Sequence, residues 1–159
     1  ITGLSRRAGA DRLENTVLQP VDQWIDSIRQ HWHASRPQAE SRLTLHGTQP
    51  APRMVADPRL EQALLNLFNN AANACQKAID LSIAWSASGL TIEIHDCGPG
   101  FPPEVLARGG LSSFPTHQQG SGIGLILTRS AIEQLGGKLT LSNPSQGGAL
   151  ARIELPQVT

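Results

Sequence analysis

The chain has 159 residues, 39% of them hydrophobic, which suits one domain with a single sizeable core. Thirteen basic side chains balance thirteen acidic ones, and aromatic residues make up only 4% with no Tyr, so neither a basic phosphate-binding face nor a base-stacking platform is expected. No apolar run approaches the roughly 18–20 residues of a membrane span, and no N-terminal charged-then-apolar signal segment is present. Cys75 and Cys97 stand apart and outside any CxxC pair. A zinc or disulfide framework is therefore not expected, and a reduced cytosolic setting is.

In chain order, residues 1–13 read as a polar, glycine-bearing tail or linker, and the domain proper spans 14–159. Glu14–Leu18 is a strand candidate. Pro20 opens a helical pattern carried by Val21, Trp24, Ile25, Ile28 and Trp32, with Trp24 and Trp32 expected to pack that helix onto a sheet. Strand candidates follow at Leu43–His46 and Arg53–Ala56. Asp57 as N-cap and Pro58 in the first helical position open the clearest helix, whose apolar stripe Leu60, Leu64, Leu67, Ala71, Ala74 and Cys75 runs to about residue 79. That stripe predicts an inert, buried Cys75.

Two alternating segments, Leu81–Ala87 and Leu90–Asp96, meet at Ser88-Gly89 as a hairpin. Gly98–Gly120 holds four prolines and reads as irregular, a long loop of the sort that covers a ligand. A helix over Ile123–Leu135 stops at Gly136-Gly137, and strands at Lys138–Ser142 and Ala149–Leu155 complete the chain. This mixture predicts an α+β fold, a two-layer α/β sandwich with a mixed, mainly antiparallel sheet packed on three helices.

Three features carry chemistry. Asn66, Asn70 and Asn73 are spaced i, i+4, i+7 and so share one helical face, offset from the apolar stripe. One helical Asn is ordinarily a solvated surface amide; three on one face supply neutral, hard carboxamide oxygens of the kind that suit Mg²⁺. Asn69 points elsewhere. Asp96-Cys97-Gly98-Pro99-Gly100 ends a strand. It is either a simple turn or a carboxylate placed for an exocyclic amine beside glycines that admit a flat ring. Gly120-Ser121-Gly122-Ile123-Gly124-Leu125 opens a helix, where exposed N–H groups attract phosphate. It is neither a dinucleotide fingerprint, because Leu125 takes the sixth position, nor a P-loop.

In this order and spacing the three segments resemble the Bergerat-fold ATP-binding family of histidine kinases, gyrase-type topoisomerases, MutL-type repair proteins and an ATPase chaperone family. Asn66–Asn73 resembles its N box, Asp96–Gly100 and Gly120–Leu125 its two glycine boxes, and Phe114-Pro115-Thr116 its F box. The resemblance covers residues 14–156. It implies Mg²⁺ held by Asn66 and Asn70 against the phosphates of ATP, with Asn73 and Lys77 at phosphate or ribose. It implies Asp96 on the adenine amine, flanked by Gly98 and Gly100, and Gly120, Ser121, Gly122, Gly124 and Leu125 along the triphosphate. Arg108 and Thr116 are lid candidates, and His117 stands where many relatives carry Lys or Arg.

Hydrolysing members resemble one another in a water-activating Glu where this chain has Asn66, so the histidine-kinase branch is implied. That branch implies transfer of the γ-phosphoryl to a histidine of a separate dimerisation domain in a two-component sensor. None of His31, His33, His46, His95 and His117 sits in a helical acceptor motif, and the acceptor is expected upstream of Ile1. The partners implied are ATP, that acceptor domain and, indirectly, a response regulator, with no nucleic acid. The parent is expected to be a membrane-bound bacterial homodimer with this domain on its cytoplasmic side. A Bergerat ATPase driving a conformational switch and a non-catalytic nucleotide-binding module are the alternatives.

Overall fold

The computed structural model describes residues 18–108 and 121–156. The elements in order are β1 (Leu18–Pro20), α1 (Val21–Ser35), β2 (Ser41–His46), β3 (Arg53–Val55), α2 (Pro58–Ala74), β4 (Ile79–Ser86), β5 (Gly89–His95), α3 (Pro103–Arg108), α4 (Ser121–Gln134), β6 (Lys138–Ser142) and β7 (Leu150–Pro156). Five strands form one sheet in the order β2-β4-β5-β7-β6, while β1 and β3 form a separate two-stranded antiparallel pair. Within the large sheet only β2 and β4 run parallel; the other neighbours are antiparallel. This is the mixed, mainly antiparallel α+β sandwich expected.

Alternation decides which face of the sheet is dry. In β4 the buried residues are Ile79, Leu81, Ile83 and Trp85; in β5 they are Leu90, Ile92 and Ile94; in β7, Ala151, Ile153 and Leu155. Register stacks them, with Leu81 opposite Ile94, Ile83 opposite Ile92, and Ile92 opposite Ile153. Each such side chain contributes roughly 1.5–3 kcal/mol by leaving water, so a one-residue slip is strongly disfavoured. Leu60, Leu64, Leu67, Phe68 and Ala71 of α2 belong to the same core as Leu125 and Ile132 of α4. α2 and α4 pack side by side.

Several boundaries differ from expectation for physical reasons. The expected strand at Glu14–Leu18 falls, except for Leu18, outside the described residues. The observed β1 begins at Leu18 and ends at Pro20, whose missing N–H is tolerated at the edge of a two-stranded pair. Helix α2 stops at Ala74, short of residue 79, because Cys75 turns to extended geometry with φ −154° and ψ 139°. The Pro-rich loop is not wholly irregular: α3 forms in it, begun by Val105 and Leu106 N–H groups donating to the Pro102 carbonyl. Trp32 also meets α2, with its ring 5.5 Å from Phe68 and its Nε1 donating to Asn69 Oδ1 at 2.9 Å.

The cysteine expectation is overturned. Cys75 and Cys97 are joined by a disulfide, with Cα atoms 5.8 Å apart. Cys75 lies beyond the apolar stripe, half-buried, and Cys97 is exposed. Sequence spacing did not suggest the pair because the fold, not proximity along the chain, brings the end of α2 against the loop after β5.

Candidate nucleotide site

Helix α2 is the wall from which the site is built. Asp57 Oδ1 accepts from Arg59 N at 2.8 Å, capping the first turn, and Pro58 sits where no N–H is needed. The Arg59 side chain donates to the same carboxylate and, as the largest cause, holds the Asp57 carboxyl below its ordinary range. With the Leu60–Ala71 stripe turned into the core, Asn66 and Asn70 come to lie half-buried at its margin and Asn73 is exposed. Asn66 Oδ1 accepts from Gln62 Nε2 at 3.2 Å; the Asn70 side chain has no hydrogen-bond partner among the described residues. Two half-buried carboxamides one turn apart, one of them unengaged, fit the ligand set that Mg²⁺ with phosphate oxygens would require.

Asp96 follows the last residue of β5 and is only 7% exposed. Its Oδ1 accepts from Gly98 N at 2.8 Å and from Ala149 N at 3.2 Å, while its own N–H donates to the Ala149 carbonyl at 3.0 Å. Both acceptor bonds fall on one oxygen, and Oδ2 has no partner among the described residues. The carboxylate is thus fixed in orientation with one oxygen left for an external donor. Gly148 makes this possible, because a Cβ there would collide with the Asp96 carbonyl.

The loop beyond is clamped from the end of β6, at the edge of the sheet. Phe101 N donates to Asn143 Oδ1 at 2.8 Å, and Asn143 Nδ2 donates back to the Phe101 carbonyl at 3.0 Å. Gly100 backs onto that same carboxamide. Gly98 lies so close to the end of α2 that a Cβ would stand 2.8 Å from the Ala74 carbonyl oxygen. The Asp96 loop and the asparagine helix therefore adjoin.

Ser121, Gly122 and Gly124 lie in the first turn of α4, the helix that packs on α2. Leu125 turns its side chain into the core, 2% exposed, so only its backbone faces the helix opening. Arg108 closes α3 and Lys77 is exposed just past the disulfide. Gly120, Thr116, the rest of the F-box-like segment and His117 lie outside the described residues. His95 engages the Gly147 carbonyl through Nε2 at 2.8 Å, and it lies in β5, not on a helix.

Sequence reasoning missed the supports of the site. Asn69 is the centre of a small network: Trp32 and Arg36 both donate to its Oδ1, and Arg36 Nη2 reaches Asn73 Oδ1 at 3.0 Å. The i, i+4 spacing of Trp32 and Arg36 was the available signal. Asn143 and Gly148-Ala149 act across more than forty residues of chain, and no local pattern marks them.

A sequence profile described as histidine kinase-, DNA gyrase B- and HSP90-like ATPase matches residues 56–159. The C4-dicarboxylate transport sensor protein DctB of Pseudomonas aeruginosa is 32% identical over 89% of this chain and 24% of its own length. The sensor protein CreC of Escherichia coli is 32% identical over 96% of this chain and 34% of its own. The chain thus spans about a quarter to a third of these relatives. Among solved structures, the catalytic domain of histidine kinase ThkA superposes with a TM-score of 0.73 at 24% identity, over 88% of this chain and 94% of that one. Full-length ShkA in complex with AMPPNP superposes with a TM-score of 0.70 at 26% identity, over 89% of this chain and 31% of that one. With an asparagine-bearing helix, a pinned strand-end Asp and a glycine-opened helix side by side in this architecture, the chain belongs to the histidine kinase-, DNA gyrase B- and HSP90-like ATPase family.

Proposed function

We propose that this chain binds Mg-ATP and donates its γ-phosphoryl group to a histidine on a separate helical dimerisation domain, as the catalytic part of a two-component sensor histidine kinase. The observation that carries the reading is the side-by-side packing of α2 and α4, with the pinned Asp96 at the end of α2. Asp96 Oδ2 is the acceptor for the adenine amine, and Gly98 and Gly100 let the ring lie against backbone. The first turn of α4, with Ser121, Gly122 and Gly124, presents N–H groups to the phosphates. Asn73 and Lys77 lie further along for ribose or phosphate, and Arg108 is the lid candidate for the γ-phosphate.

Asn66 and Asn70 are the residues that would hold Mg²⁺, which neutralises phosphate charge when bound. Neither side chain is a general base, so no group at this position activates water, which favours a phosphorylated protein over hydrolysis. What remains for the chain is orientation of the γ-phosphoryl in line with an incoming imidazole nitrogen, the positioning and charge stabilisation that phosphoryl transfer chiefly needs. The acceptor domain and a response regulator are the partners in this reading. The same reading takes the parent to be a dimeric membrane sensor with this ATP-using chain on its cytoplasmic side.

The test mixes the chain with the helical acceptor domain of its parent and γ-labelled Mg-ATP. Label on the acceptor that is lost in acid and kept in alkali identifies phosphohistidine. Steady phosphate release with an unlabelled acceptor would instead assign an ATPase switch.

A further inference from the structure

The Cys75–Cys97 bond has no part in the function proposed above, yet it joins two walls of that site. Cys75 is the first residue past α2, the helix of Asn66, Asn70 and Asn73. Cys97 lies between Asp96, the adenine acceptor, and Gly98, which packs on the Ala74 carbonyl. The fold does not need the cross-link as a core element: the buried side chains of α2, α4, β4, β5 and β7 form a continuous cluster without either cysteine. Cys97 is exposed and Cys75 half-buried, so Cys97 is the more accessible of the two to an external thiolate. In compartments that hold ATP, disulfides are characteristically catalytic or redox-sensing.

We infer that Cys75 and Cys97 form a reversible thiol–disulfide modification site that sets the affinity for adenine nucleotide, an inference that rests on the nucleotide-binding reading. The reagent class is a low-molecular-weight thiol and its disulfide, of which glutathione is an example. In reduction, the external thiolate attacks Cys97 Sγ, a mixed disulfide forms, and Cys75 leaves as a thiolate that takes up a proton. A second thiolate attacks the external sulfur of the mixed disulfide, releasing Cys97 as a thiolate that is protonated in turn. Two external thiols become one external disulfide, and the protein gains two thiols; oxidation is the reverse.

Bonded, the end of α2 and the Asp96 loop are held in one arrangement before nucleotide arrives. Reduced, they move separately and must be ordered on binding. The bonds of Asp96 Oδ1 to Gly98 and Ala149 do not involve sulfur, so the adenine acceptor survives reduction and binding is weakened, not abolished. Ordering one short loop corresponds to roughly a three- to tenfold loss of affinity.

The experiment equilibrates the 159-residue chain in buffers of differing reduced-to-oxidised glutathione ratio, counts free thiols with a chromogenic disulfide reagent, and titrates Mg-ADP calorimetrically into each state. Expected are two thiols after reduction, none after oxidation, and roughly three- to tenfold weaker ADP binding by the reduced chain. A Cys75→Ser/Cys97→Ser chain should match the reduced affinity at every ratio. Equal affinity in the two states, or thiols that stay free at high oxidised glutathione, overturns the inference while leaving nucleotide binding intact. Absence of ADP binding in both states overturns the nucleotide reading as well, whatever the thiol count.

Discussion

Asp96→Asn changes one oxygen of a buried carboxylate to an amide nitrogen and leaves the other able to accept. The retained oxygen can keep the bonds from Gly98 N and Ala149 N, now to a neutral acceptor, so the fold should lose only about 1 kcal/mol. At the open position an NH₂ group would face the adenine amine, donor against donor. Losing a bond to a charged acceptor there costs about 1.5–3 kcal/mol, or roughly 10- to 150-fold in affinity. Asp96→Ala has the opposite balance, since it strips both N–H groups of their partner. The Ala149 donor is buried and the Gly98 donor partly so, and together they should cost about 2–4 kcal/mol of stability. Urea unfolding and calorimetry with Mg-ADP on the three proteins separate the two effects. An Asn variant that binds ADP within about twofold of the parent, or an Ala variant of undiminished stability, would refute the reasoning.

Two further predictions concern the scaffold. Asp57→Ala removes the α2 cap and should destabilise by about 0.5–2 kcal/mol at neutral pH. Because the Arg59 guanidinium holds the folded carboxyl below its unfolded value, that contribution is complete above about pH 4 and fades as pH falls through the lower folded value. Urea unfolding at pH 7 and below pH 3 should therefore show a difference between parent and variant that shrinks in acid; a constant difference contradicts the assignment. The Thr128 hydroxyl in α4 is buried without a hydrogen-bond partner among the described residues, so Thr128→Val should stabilise by about 1 kcal/mol in thermal unfolding, and a lowered melting temperature would show the hydroxyl to be engaged.

What was legible in the sequence was what is local. Asp57-Pro58 announces the start of α2, the Leu60–Ala71 spacing its buried face, and the Asn66/Asn70/Asn73 spacing its polar margin. The alternation of β4 and β5 gives the hairpin, and Gly136-Gly137 the stop of α4. What was missed depends on contacts between distant segments. The end of α2 is set by Cys75 turning toward Cys97, so a stripe that ran on through Ala74 and Cys75 overstated the helix. The orientation of Asp96 depends on Gly148 and Ala149, and the loop after it on Asn143, pairings that exist only once β5 and β7 are neighbours. Asn69, set aside as off the ligand face, holds Trp32 and Arg36 and through Arg36 steadies Asn73.

The claim on which the account stands is that α2, α4 and the Asp96 loop together grip an adenine triphosphate. Calorimetric titration of the chain with a non-hydrolysable ATP analogue, with and without Mg²⁺, measures it directly. The account predicts saturable binding at one site, tightened by Mg²⁺ and not reproduced by the guanine analogue. No heat with the adenine analogue, or equal binding of both bases with no response to Mg²⁺, would contradict it.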